Sequence, residues 1–158
     1  MNDLLKINDF DYLELKLVEE DTIEKFIGIE TIIIPKRLTQ SDVYKLYVLK
    51  EENDYIYVGV TQQSLITRLK SGLKANGKNG YHGYKWKNKK SVNVYVWCFN
   101  ELNQNEIENI EAELVFIIRQ KKNKWPLQQN EIHFNNEFDN GNKIALKVFE
   151  LIEAYQKN

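Results

Sequence analysis

The sequence predicts an α+β fold: a small three-stranded antiparallel sheet flanked by helices, with extra strands before it and a helix after it. Two observations carry that expectation. Residues 44–61 hold two β-rich runs, "YKLYVLK" and "YIYVGVT", joined by the polar connection "EEND", which is typical of a hairpin. Residues 61–122 then pass from helical spacing to strand-like alternation and back to helical spacing.

Taken in order, "YLELKLVEE" and "TIEKFIGIETIIIP" within residues 10–35 combine alternation with β-branched runs and read as one or two strands able to extend the sheet. Ser41 or Asp42 is expected to cap a short turn leading into the hairpin. After the hairpin, "TQQSLITRLKSGL" places Leu65, Ile66, Leu69 and Leu73 on one helical face, with Thr61 or Ser64 as N-cap candidates. Gly72, Gly77, Gly80 and Gly83 break the chain into a loop, and "SVNVYVWCF" alternates into the third strand. Ile107, Ile110, Leu114, Ile117 and Ile118 mark a helix from Asn105 to about Lys122, and "NKIALKVFELIEAYQK" forms a closing amphipathic helix. In "WPLQQNEIHF", Trp125 and Phe134 are expected to anchor the core, while Glu131 and His133 lack a metal-ligand companion and read as structural. The expected division is an N-terminal extension (1–43) packed on the core, a central domain (44–135) and a C-terminal helix (136–158).

A chain of 158 residues supports one domain with a real core. With 42% hydrophobic and 28% charged residues it is not a disordered polymer. The start lacks a basic-then-apolar leader, and no apolar run approaches the roughly 20 residues of a membrane helix, so a cytoplasmic protein is expected. The single Cys98 excludes an internal disulfide. One cysteine and two histidines are too few for a four-ligand zinc site, and Cys98, inside "VYVWCFN", reads as a buried thiol. The net charge of −1 conceals a split: residues 55–100 contain eight lysines and arginines and no acid, leaving −9 for the remainder. Such a split favours an anionic partner at one face.

Glu111 lies inside the apolar stripe of its helix, one turn from both Ile107 and Leu114. An inward carboxylate requires a partner, so it is either a salt bridge at the rim of the core or a metal ligand. Arg68, between Leu65 and Leu69, is the natural partner in the first case. The first turn of its own helix also offers backbone N–H groups where a phosphate could sit. Tyr47 and Tyr57 are favoured strand residues and read equally as packing. The loop "GLKANGKNGYHGYKWKNKK" interleaves bases with aromatics. It reads either as a nucleic-acid surface, in which lysines meet phosphates and Tyr81, Tyr84 and Trp86 meet bases, or as a solvated lysine loop whose aromatics pack on the core. His82 is open to both.

"KLY", then "YVG" ten residues from tyrosine to tyrosine, an arginine in the next helix and a glutamate within "IEAELV" in a later one together resemble the GIY-YIG nuclease domain over residues 44–130. Lys45 stands where the first motif has glycine. The resemblance implies a metal-dependent endonuclease acting on nucleic acid, DNA before RNA. It implies a catalytic set of Tyr47, Tyr57, Arg68 and Glu111, with Tyr57 the preferred general base, Arg68 neutralising the phosphate and Glu111 holding Mg²⁺ or Mn²⁺. Gly59 matches the end of the second motif and Asn130 the asparagine that often ends the core. Lys70, Lys74, Lys78, Tyr81, His82, Tyr84, Lys85 and Lys87 are the expected nucleic-acid contacts. Specificity would come from that loop, the terminal elements or a second copy in a homodimer. The alternative is a non-catalytic nucleic-acid-binding module on the same fold, and a weaker one is a protein-interaction domain using the acidic flanks.

Overall fold

The polar connection between the two tyrosine-rich runs does close a hairpin, and that hairpin organises one side of the sheet. The computed structural model describes residues 6–20, 26–30, 33–75, 77–78, 80, 83–129, 132–136 and 138–155. Among them five strands form, β1 (Asp11–Glu20), β2 (Phe26–Ile29), β3 (Tyr44–Glu51), β4 (Asp54–Thr61) and β5 (Ser91–Phe99), in the order β2-β1-β5-β3-β4 and antiparallel throughout. The helices are α1 (Lys36–Thr39), α2 (Leu65–Lys74), α3 (Gln104–Lys122) and α4 (Gly141–Ala154), with a 3-10 turn at Lys85–Asn88. None is long and apolar enough to cross a membrane.

The expected three-stranded sheet is therefore a five-stranded one. β1 pairs with β5 from Asp11↔Val96 to Lys16↔Ser91, and β2 pairs with β1 from Leu17↔Ile29 to Glu20↔Phe26. Its alternation explains this: Leu13 and Leu15 point into the core while Glu14 and Lys16 point out, so β1 covers an edge of β5 that would otherwise expose unpaired backbone.

The sheet is sandwiched. α3 and α4 cover one face, where Leu46, Val48, Tyr55, Val58 and Trp97 meet Ile107, Ile110, Leu114 and Val148. α1, α2 and the 3-10 turn cover the other, where Leu15, Leu49, Ile56 and Val94 meet Leu38, Leu65, Leu69 and Trp86. Each fully buried aliphatic side chain contributes roughly 1.5–3 kcal/mol, so both layers are needed. A register shift pairs Leu49 with Tyr57 but Lys50 with Tyr55. This bulge turns both Ile56 and Tyr57 toward the α2 face.

α3 begins at Gln104 because Asn103 caps it: its side chain accepts from the Glu106 N–H at 3.0 Å and the Glu106 carboxylate accepts from the Asn103 N–H at 2.8 Å. Left-handed Asn123 (φ 58°) ends it. Ser41 and Asp42 cap no helix, since α1 precedes them. Asp42 instead adopts φ 68° and donates its N–H to the Gln62 carbonyl at 3.1 Å.

Lys45, the residue in the place of the motif glycine, is fully buried. Its ammonium donates to the carbonyls of Gln40 (2.6 Å), Val43 (2.9 Å), Gln62 (3.4 Å) and Gln63 (3.0 Å). One side chain thus ties the approach to β3 to the turn from which α2 starts. Burial lowers its pKa, opposed by the nearby Cys98 and Asp42.

Candidate active site at the edge of β4

β4 is an edge strand, so its outer backbone groups need other partners. Residues 127–129 supply them. Leu127 and Gln128 donate their N–H groups to the carbonyls of Tyr55 (2.9 Å) and Ile56 (2.8 Å). The Gln129 side-chain amide then accepts from the Val58 N–H at 2.9 Å and donates to the Val58 carbonyl at 3.1 Å, imitating one residue of a sixth strand. Beyond Val58 the edge opens into a cavity of about 440 Å³. Tyr57 and Val60 of β4 form its floor, Arg68 of α2 and Glu111 of α3 its sides.

Tyr57 is held from behind. The Tyr47 and Tyr57 ring centroids lie 6.0 Å apart, and Gly59 pairs with Tyr47 across the hairpin. A Cβ at Gly59 would fall 2.6 Å from Tyr47 Cζ, Tyr47 Oη and Tyr57 Cε1, so the close approach of these rings requires glycine. The Tyr47 hydroxyl is buried without a partner in hydrogen-bond geometry. Burial first, then the neighbouring Tyr84 and Tyr57 hydroxyls, hold its pKa well above the ordinary tyrosine value. Tyr47 therefore retains its proton, while Tyr57 stands half-buried on the cavity wall.

Arg68 is half-buried, its guanidinium carbon 6.0 Å from the centre of the Tyr84 ring. Tyr84 in turn stacks on Trp86 (4.8 Å, 24°) and donates its hydroxyl to the Arg68 carbonyl at 3.4 Å. That ring lies where a Cβ of residue 72 would be, which is why α2 carries Gly72 despite a helix cost of about 1 kcal/mol. Of the two readings of the loop aromatics, Tyr84 and Trp86 take the second: both are core residues that support Arg68 and offer no stacking surface to a base. Lys70, Lys74, Lys78 and Lys85 are exposed, and Lys87 donates to the Ala75 carbonyl at 3.1 Å. Tyr81, His82 and Asn130 lie outside the described residues. The cavity wall includes Arg68 but none of residues 62–67, so the start of α2 is not part of it.

Glu111 is 7% exposed and lines the cavity. Among the described residues it makes no ion pair, with Arg68 or any other cation, so the salt-bridge reading finds no support. Burial first, and then the charge of Glu108, push its pKa up to about 8. A lone, desolvated carboxylate of this kind is costly when ionised and becomes favourable once a cation sits beside it. No group of three or more His, Cys, Asp or Glu is arranged for a metal among the described residues.

The structure also brings to the cavity residues for which the sequence suggested no functional role: Glu108 reads as solvated and His133 as structural. Glu108, one turn before Glu111, lines the cavity, as its i, i+3 spacing would allow. His133 and Gln128 line it too, although nothing in "WPLQQNEIHF" signals that this segment runs along β4. Trp125 and Phe134 do not anchor the core: they are 44% and 57% exposed. Cys98 is a half-buried free thiol whose pKa burial raises. No family model matches the chain, and no curated protein or solved structure matches it.

Proposed function

We propose that the chain is a metal-dependent endonuclease of GIY-YIG type that hydrolyses phosphodiester bonds in nucleic acid, DNA foremost. The observation that carries this reading is the cavity at the β4 edge, where Tyr57, Arg68 and a buried Glu111 that forms no ion pair among the described residues meet. They arrive there from a strand, α2 and α3, and such convergence of a cation, a phenol and a lone carboxylate serves chemistry better than packing.

In this reading Tyr57 takes the proton of the attacking water. Tyr47, which keeps its proton, fixes the Tyr57 ring through Gly59 and is a positioning residue rather than a second base. Arg68 faces the scissile phosphate and offsets the charge that builds on its oxygens; its guanidinium stays protonated throughout and its direction is set by Tyr84. Glu111 holds the divalent cation, Mg²⁺ or Mn²⁺, with Glu108 close enough to strengthen the local field. When bound, that cation supplies Lewis-acid stabilisation of the leaving oxygen. The exposed Lys70, Lys74, Lys78 and Lys85 follow the backbone of the bound strand.

The test is cleavage of plasmid, single-stranded and branched DNA and of RNA by wild type and Glu111→Ala, with Mg²⁺ and with chelator. Cutting that disappears both with Glu111 and with the metal supports the proposal. Salt-sensitive binding without cutting on every substrate overturns it in favour of a non-catalytic nucleic-acid-binding module.

A further inference from the structure

Phe116, Trp125 and Phe134 are large apolar side chains standing 40%, 44% and 57% exposed, yet they form one cluster. The Trp125 and Phe134 rings each incline 75° to Phe116, at 5.3 and 5.0 Å between centroids. Exposed Leu127 adjoins in sequence. A contiguous apolar patch of this kind signals a partner. Two observations say which.

The first is charge. Residues 116–134 contain Arg119, Lys121, Lys122 and Lys124 against a single acid, Glu131. The Arg119 guanidinium carbon lies 6.0 Å from the Trp125 ring centre, while Lys122 and Lys124 pair with Glu153 and Asp54. Glu113, one turn before Phe116, accepts from the Asn142 amide at 2.8 Å. The second is continuity. Leu127 and Phe134 are the chain neighbours of Gln128 and His133, which line the candidate cavity, so the same segment serves both patch and cavity.

We propose that Phe116, Trp125 and Phe134, with Arg119, form a stacking platform for unpaired bases next to the phosphate held in the cavity, which makes single-stranded or flapped nucleic acid the substrate class. The proposal rests on the nuclease reading for the identity of that phosphate. Aromatic faces accept any base, and a guanidinium beside them suits the adjoining phosphate; a blunt duplex keeps its base faces hidden and gains nothing there.

Trp86 and Trp97 are buried, so Trp125 is the tryptophan whose emission senses the surface. The experiment uses the full chain carrying Glu111→Ala, which separates binding from cutting, titrated with a dT oligonucleotide and with a blunt duplex. Saturable quenching by dT and not by duplex is expected, abolished by Trp125→Ala. Phe134→Ala should weaken dT binding by about 5- to 100-fold and leave duplex binding unchanged. Equal quenching by duplex, or no quenching at all, overturns the platform, as does a blue shift of Trp125 emission with protein concentration alone, which would assign the patch to a second copy of the chain. Failure of the nuclease reading would be seen elsewhere, in wild-type cleavage.

Discussion

Replacing Glu111 by glutamine should stabilise the protein, and by an amount that depends on pH. The carboxyl is buried and forms no ion pair among the described residues, and its folded pKa is pushed up to about 8, against an ordinary value of 4.5. The folded state therefore holds this proton more tightly than the unfolded chain does. Below about pH 4.5 the group is neutral in both states and costs nothing extra; as pH rises toward 8, the folded state is increasingly penalised relative to the unfolded one, and above about 8 the penalty is constant. At 1.36 kcal/mol per pH unit the full penalty is about 5 kcal/mol, and about 3 kcal/mol of it is present at pH 7. Glutamine keeps the volume and remains neutral, so denaturant titrations of wild type and Glu111→Gln should coincide near pH 4.5 and separate progressively to pH 8. At pH 7 the variant should melt roughly 6–12 °C higher. Mg²⁺ should narrow the gap by stabilising wild type alone. A gap that does not vary with pH, or a variant less stable than wild type at pH 8, would refute the account of Glu111 as an uncompensated carboxylate.

Two further outcomes follow from the scaffold. Lys45→Met leaves the carbonyl cage without its donor and should cost about 3 kcal/mol, lowering the melting temperature by roughly 6–12 °C; a melt within a degree of wild type would show the cage to be dispensable. Gly59→Ala forces a methyl group against both tyrosine rings and should cost about 1–3 kcal/mol, with a changed near-ultraviolet dichroism and reduced cleavage; unchanged spectra and rates would remove Gly59 and Tyr47 from any positioning role.

The local features of this fold were legible because they are written in short stretches. "EEND" between tyrosine-rich runs marks the hairpin, and the Ile107, Ile110, Leu114 spacing both marks α3 and exposes Glu111 as an intruder on its apolar face. The pairing of β1 with β5 was not legible, since it joins residues about 80 positions apart and periodicity carries no information on neighbours. Nor was the fate of the aromatics. Trp86 and Trp125 look alike in sequence, each beside lysines, yet one is core and the other surface. Trp125 precedes residues 127–129, which run along β4, and the anchor of that path is a Gln129 side chain posing as backbone. His133 and Glu108, the latter one turn before Glu111 on α3, reach the same cavity. Lys45 was noticed only as a missing glycine, because a lysine in a strand normally signals solvent rather than a carbonyl cage.

The cavity draws Tyr57 and Arg68 from the layer on one face of the sheet and Glu111 from the layer on the other; they meet only around the β4 edge. α3 itself packs against α4, the last helix described, so the Glu111 wall is secured only once Gly141–Ala154 is available. A partly synthesised or half-docked chain would hold the phenol and the guanidinium without the carboxylate. On the nuclease reading proposed above, the nascent protein emerging beside ribosomal and messenger RNA would be inert until α4 has docked on α3.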